Sequence, residues 1–200
     1  MAVELRGEHV TLRPLIPEDV DGLLAAASES RETYQFTTVP EGRDEVVAYI
    51  DTAISQPDRV PFSIIYDDRV VGSTSYLNMT TWQWGEGSPM QRVDVPDIVE
   101  IGSTWLARSA QRTRCNTESK YLLLSHAFET WDVHRVSLRT DERNTRSRNA
   151  ILRIGATFEG VLRSLERGSD GTIRNTVFFS IVRDEWPDVR AHLQTLLARQ

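Results

Sequence analysis

The run from Ile98 to Phe128, IVEIGSTWLARSAQRTRCNTESKYLLLSHAF, holds the residues best placed for chemistry. Glu100 stands in an otherwise apolar, strand-like stretch, two residues before Gly102. Strand alternation puts it on one face with Gly102 and Thr104. A carboxylate in such a run has two readings: it takes a proton in a reaction, or it is a buried structural acid paired with an arginine. The segment from Ala107 to Thr117 contains Arg108, Arg112 and Arg114 and no acid, directly before a helix that Asn116 opens. Guanidinium groups, unpaired N–H groups and the positive end of a helix dipole together make a seat for a diphosphate. A solvated, arginine-bearing surface loop is the other reading of the same residues.

Further candidates are more scattered. Trp82 and Trp84, with Glu86, Asp94 and Asp97 nearby, suit a cationic amine; equally, such a loop packs on its own core or on a partner subunit, which leaves a homodimer open. Cys115, the single cysteine, would support a covalent route only with a base at hand and a lowered thiol pKa; otherwise it is a small buried residue. His9, His126, His134 and His192 have no metal-ligand spacing, and no metal is expected.

These residues need a frame. His9–Leu15 reads as a strand, and a helix follows with Pro17 in its first turn and Val20, Leu23, Leu24 and Ala27 on one face. Residues 30–42 read as loop, and Arg43–Ser55 as a helix. Val60–Tyr66 and Arg69–Met79 read as strands joined by a tight turn at Asp67-Asp68. After the polar residues 80–97 come a strand at Ile98–Leu106 and a helix from Asn116 to near Trp131, with Tyr121, Leu124, Phe128 and Trp131 on its buried face. A strand at Val133–Thr140, a helix at Asn144–Ile154 closed by Gly155, a hairpin of Thr157–Arg167 and Thr172–Arg183, and a helix at Trp186–Ala198 complete the chain. The order β-α-α-β-β-β-α-β-α-β-β-α predicts an α/β (α+β) architecture, a mixed sheet with helices on both faces.

Composition bounds the function. The chain of 200 residues, 40% hydrophobic and 26% charged, has enough apolar material for one core, and residues 1–200 are read as a single domain. One cysteine excludes an internal disulfide framework. A net charge of −6 argues against nucleic-acid wrapping. The opening MAVELRGEHV lacks a secretory apolar segment, and no stretch approaches the roughly 20 apolar residues of a membrane span. A cytoplasmic chain with no membrane partner is the expectation. Lys120 is the only lysine; every other basic residue is an arginine, a bias that suits phosphate but also follows from base composition.

Taken together, these segments resemble the GNAT superfamily of acyl-CoA N-acyltransferases, most closely its ribosomal-protein N-terminal acetyltransferase branch. Gln111 matches the first position of that family's Q/R-x-x-G-x-G/A pyrophosphate loop. Asn116-Thr117-Glu118-Ser119-Lys120 with LLLSHAFE is similar to the helix after it. RVSLRTDERNTRSRNAILRIGATFEGVLR, with Asn144, Ser147 and Gly155-Ala156, is similar to the next strand, helix and strand. DGTIRNTVFFSIVRDEWP and ELRGEHVTLRPLIPEDVDGL resemble the two ends of the fold. The resemblance implies a mostly antiparallel twisted sheet and acetyl-CoA as the acyl donor.

It also implies roles. Backbone N–H groups of Ser103, Thr104, Trp105 and Leu106 would contact the acyl carbonyl, and Gln111, Arg112, Thr113, Arg114, Cys115, Asn116 and Thr117 the coenzyme phosphates. Glu100 would act on the amine as general base. Asn144, with Ser147 as a weaker candidate, would bond the pantetheine arm or an active-site water, although Asn is also simply a good helix cap. Arg146 would approach the phosphates. Arg112 and Arg114 depart from the loop's glycines, Ile151 stands where the family often has a tyrosine acid, and residues 80–97 are long for this connection. Transfer to a peptide or protein N-terminal amine, transfer to a small amine such as an antibiotic, polyamine or amino acid, and a non-catalytic acyl-CoA-binding module all remain open.

Overall fold

Alternating apolar residues, Val10 and Leu12 in one strand and Val60, Phe62 and Ile64 in another, bury one face of each strand and seed a sheet. The computed structural model describes residues 3–199. Eight strands form one sheet in the order β1 (Leu5–Arg6), β2 (Val10–Pro14), β3 (Val60–Tyr66), β4 (Arg69–Thr80), β5 (Ile98–Leu106), β6 (Arg135–Asp141), β8 (Ile173–Val182), β7 (Thr157–Arg167). Every neighbouring pair is antiparallel except β5 and β6. The mixed, mostly antiparallel sheet carries helices on both faces, as the element order implied. The two-residue strand β1 had no sequence signal.

The two faces are read from β4. Ser73 bonds the Tyr49 hydroxyl of α2 (Gly42–Ser55) at 3.0 Å. Tyr76, three residues on, donates its hydroxyl to the Leu123 carbonyl of α3 (Cys115–Ser125) at 2.5 Å. Odd and even positions of a strand point to opposite faces. Helix α1 (Val20–Ser28) joins α2 on the first face, and α5 (Trp186–Ala198) joins α3 on the second. Helix α4 (Thr145–Arg153) packs against β6 and ends at Gly155, whose φ of +95° is the left-handed C′ position expected of it. Among the described residues no helix is long and apolar enough to cross a membrane.

The helix expected from Asn116 to Trp131 changes character partway. Its last turn, His126–Thr130, is a π-turn, closed by the Trp131 N–H on the His126 carbonyl. There the rings of Tyr76, His126 and Trp131 crowd within 4.6 to 6.3 Å of one another, and the wider turn seats them. Tyr121, read as part of the buried face, is only half-buried, and Lys120 takes the buried place beside it.

Two irregularities of β5 shape the opening beside it. It pairs with β6 only over Ile98–Glu100 against Arg135–Ser137, although both strands run on, so beyond Glu100 they splay apart. Against β4, three steps along β5 (Gly102 to Trp105) match two along β4 (Ser75 to Ser73), a bulge at Ser103, whose φ is +48°.

Candidate active site

The wide end of the β5–β6 gap is built by the loop that follows β5. Gln111 turns inward: its Nε2 donates to the Leu106 carbonyl and to Thr33 Oγ1, each at 2.8 Å, and its Oε1 accepts from Arg146 on α4 at 3.4 Å. The loop is thereby tied to the end of β5 and to the helix across the gap. Thr113 Oγ1 donates to the Ala110 carbonyl and accepts the Cys115 N–H. Asn116 and Thr117, next in the first turn of α3, have N–H groups with no intrahelical acceptor. Thr117 also accepts Arg153 Nη2 at 2.5 Å, which fixes α4 beside this turn.

Arg112 keeps a left-handed φ of +61°, the conformation a glycine takes freely and a side chain adopts at a cost of about 1–2 kcal/mol. Arg112 and Arg114, with Tyr66 and Thr113, line a shallow pocket at this turn. Arg108 faces Glu32 at 3.9 Å, whereas Arg112 and Arg114 make no ion pair among the described residues. Cys115 is fully buried, and burial pushes its thiol up to about 12, well away from a nucleophile's range.

Glu100 is 7% exposed, on the narrow side of the gap. One carboxylate oxygen accepts Arg139 Nε and the other accepts Asn78 Nδ2, both at 2.9 Å. Arg139 also pairs with Glu166, which meets Arg174 at 2.7 Å. A carboxylate has about four acceptor positions, so two donors leave room for a water or an amine. Gly102 keeps that room: a Cβ there would lie 3.1 Å from the Glu100 carboxylate and 2.7 Å from Leu77.

The bulge corrects one expectation. Glu100 and Gly102 share a face with Leu77, but Thr104 does not. The extra residue reverses the alternation, so Thr104 points to the α3 face, where it meets Thr74 Oγ1 at 2.7 Å and Lys120 Nζ at 2.6 Å. Trp105, paired with Ser73, turns to the α1–α2 face against Tyr34 and Tyr49. The Ala107 N–H donates to Val71 on β4. Strand alternation therefore directs the N–H groups of Leu106 and, two residues earlier, Thr104 into the gap.

Lys120 is buried on the α3 side of β5. It is 6% exposed, and burial lowers its pKa to about 7. Its spacing of four residues before Leu124 placed it on the apolar stripe of the helix, and that was the available signal.

The remaining candidates are spread around the gap. Asn144 caps α4, its Oδ1 accepting the Ser147 N–H at 3.0 Å. Ser147 is half-buried in the first turn. Trp82 and Trp84 lie at the opposite end of β5 from the arginine loop. There the Trp82 ring stacks on His134, with ring centroids 5.4 Å apart, and the Trp82 backbone N–H donates to the buried Asp97 carboxylate at 2.7 Å.

A mixed sheet opening between its one parallel pair, with a helix N-terminus and unpaired arginines at the mouth, defines the N-acyltransferase class of fold. Residues 9–157 match the acetyltransferase (GNAT) domain family, and the chain belongs to it. Its members are acetyltransferases that use acetyl-CoA. The chain is 25% identical over 195 residues, 90% of this chain and 94% of the other, to the Bacillus subtilis protein named "Putative ribosomal N-acetyltransferase YdaF". A GCN5-related N-acetyltransferase from Brucella melitensis superposes with a TM-score of 0.83 at 26% identity, covering 98% of this chain and 86% of that one. Mycobacterium smegmatis RimJ, solved with CoA-disulfide, shares the fold with a TM-score of 0.76 at 22% identity, over 99% of this chain and 94% of that one.

Proposed function

We propose that residues 1–200 act as a single catalytic domain that transfers an acetyl group from acetyl-CoA directly to a primary amine, a peptide or protein N-terminal amine, in a ternary complex. The observation that carries this reading is the gap itself, with guanidinium groups and open N–H groups at its wide end and the Glu100 carboxylate near its narrow end. YdaF's name and RimJ's bound CoA-disulfide support the acceptor and the donor respectively.

The residues present fit coenzyme A. Arg112, Arg114 and the first-turn N–H groups of Asn116 and Thr117 would hold the diphosphate, with Gln111, Thr113 and Cys115 shaping the turn and Arg146 closing it from α4. Bound there, acetyl-CoA supplies an activated acyl group as a thioester. Along β5, the N–H groups of the Ser103–Leu106 segment facing the gap stabilise the carbonyl oxygen as it gains charge, a kind of contact worth roughly 10²–10³ in rate per donor. Glu100, directly or through a water, takes the proton that the amine sheds as its nitrogen bonds to the carbonyl carbon and the carbon–sulfur bond breaks. The Asn144 amide, whose oxygen is used in the cap, keeps its nitrogen for the pantetheine arm or a water, with Ser147 beside it. Ile151 offers no proton to the leaving sulfur, which would depart as the thiolate. Trp82 and Trp84 would flank the acceptor's approach from the far end of β5.

A peptide α-amine ionises near ~8 and is about one-tenth neutral at pH 7, against roughly one in 2,500 for a lysine amine. A site with one ion-paired carboxylate favours the α-amine. Thiol release with acetyl-CoA and a panel of amines should therefore show N-terminal peptides turning over about 10²-fold faster than blocked peptides offering only lysine. Equal or faster lysine transfer removes the α-amine reading. Turnover with small amines alone replaces it with the small-molecule one.

At the wide end, Arg112→Ala and Arg114→Ala should each weaken acetyl-CoA binding about tenfold and flatten its salt dependence, the measure of a charged hydrogen bond to phosphate. Titrations at two ionic strengths read this. Unchanged affinity in both variants would make these arginines solvated bystanders.

A further inference from the structure

Ser103 is neither Gly nor Asn, yet it holds a left-handed φ of +48° in the middle of a strand. Such a residue costs about 1–2 kcal/mol and persists only where its surroundings hold it. The holding contacts lie on the α3 face. The Thr104 hydroxyl bonds back to the Gly102 carbonyl at 3.4 Å, spanning Ser103 from inside, and contacts Thr74 at 2.7 Å. Lys120 Nζ, from the second turn of α3, donates to the same hydroxyl at 2.6 Å. That oxygen is the one hydrogen-bond acceptor the described residues give Lys120, and no carboxylate pairs with it. A long amine is thus buried against a strand irregularity, in a chain whose other basic residues are all arginines.

The irregularity has a consequence for the gap. With the extra residue, Thr104 and Leu106 turn their N–H groups away from β4; without it, the alternation beyond Ser103 would reverse and these N–H groups would face β4. We propose that Lys120 is a positioning residue that acts through Thr104, fixing the Ser103 bulge so that the β5 N–H groups face the acyl carbonyl. The inference rests on the acetyl-CoA reading above. Lys120 touches neither reactant; it sets the direction of groups that do.

One lysine makes one reporter. In the full chain labelled with [13Cε,15Nζ]-lysine, a single side-chain signal should appear, and saturating coenzyme A should shift it, because occupancy of the gap loads the N–H groups that Thr104 carries. A signal that ignores coenzyme A, in a protein shown by titration to bind it, would overturn the proposal. In turnover, Lys120→Met and Thr104→Val should each lower kcat about tenfold or more with acetyl-CoA affinity nearly unchanged. The double variant should be no worse than the poorer single, since the two act as a unit. Lys120→Gln, which keeps a donor to Thr104, should recover part of the loss. Unchanged kcat in Lys120→Met, or losses that simply add, would overturn it. A wild-type chain that binds no coenzyme A would instead sink the acetyl-CoA reading, so the two failures are distinguishable.

Discussion

Glu100→Gln should lower turnover by about 10²-fold or more while leaving acetyl-CoA affinity unchanged, if Glu100 is the group that receives the amine's proton. Glutamine is the same size and keeps an oxygen for Arg139 Nε, and Asn78 can rotate its amide to present an acceptor to the new NH2 group. Arg139 keeps its second partner, Glu166. The site therefore stays filled and bonded, and what is lost is a place for a proton. The competing account gives the pair of Glu100 and Arg139 a purely structural task. It predicts the reverse pattern: turnover per folded molecule unchanged, and a lower unfolding midpoint because Arg139 has lost half of its counter-charge. Steady-state kinetics and a denaturation curve on the same preparation separate the two outcomes.

Lys120→Met should stabilise the protein at acidic and neutral pH, and the gain should fade as the pH rises. Folding lowers the Lys120 pKa from 10.5 to about 7, through burial. Below about 7 both states carry the proton, and the folded chain bears the whole cost of a buried ammonium. Between there and about 10.5 the unfolded chain keeps a proton that the folded chain has released, so folding becomes more favourable with rising pH, at about 1.4 kcal/mol per unit. Methionine, unbranched and adaptable, fills similar space and carries no such cost. Urea midpoints at pH 6 and pH 9 should show the variant ahead by several kcal/mol at the lower value and by much less at the higher. A difference independent of pH would mean that Lys120 is not buried as an amine. A variant that is more stable and yet slower would show stability given up for function.

Much of this site was legible in the sequence because it rests on local chemistry. Three arginines without an acid before a helix, an Asn positioned to cap α4, Gly155 as its C′ residue and a carboxylate in an apolar strand are all statements about neighbours in the chain. The features that escaped are those fixed by contacts between distant segments. Ser103 carries no signature of a bulge, because the glycine that would announce one is a residue earlier; the bulge exists by virtue of Thr74, Thr104 and Lys120, drawn from β4, β5 and α3. The alternation rule therefore placed Thr104 beside Glu100 and was wrong by one face. The partners of Glu100, Asn78 and Arg139, lie 22 and 39 residues away, and only the sheet order brings them together. The π-turn at His126 answers to rings from β4 as well as from its own helix. The hairpin of β7 and β8 was visible, but not that its second strand would be the one to dock on β6.

The brevity of the β5–β6 ladder bears on how the whole molecule coheres. Among the described residues the ladder between the five-stranded half of the sheet and the three-stranded half has three rungs, backed by the Arg139–Glu100 ion pair. An extended ligand lying in the opening beyond them would offer its amides to strands on both sides and extend the border by its own length. A donor seated there would join the two halves of the sheet as it binds.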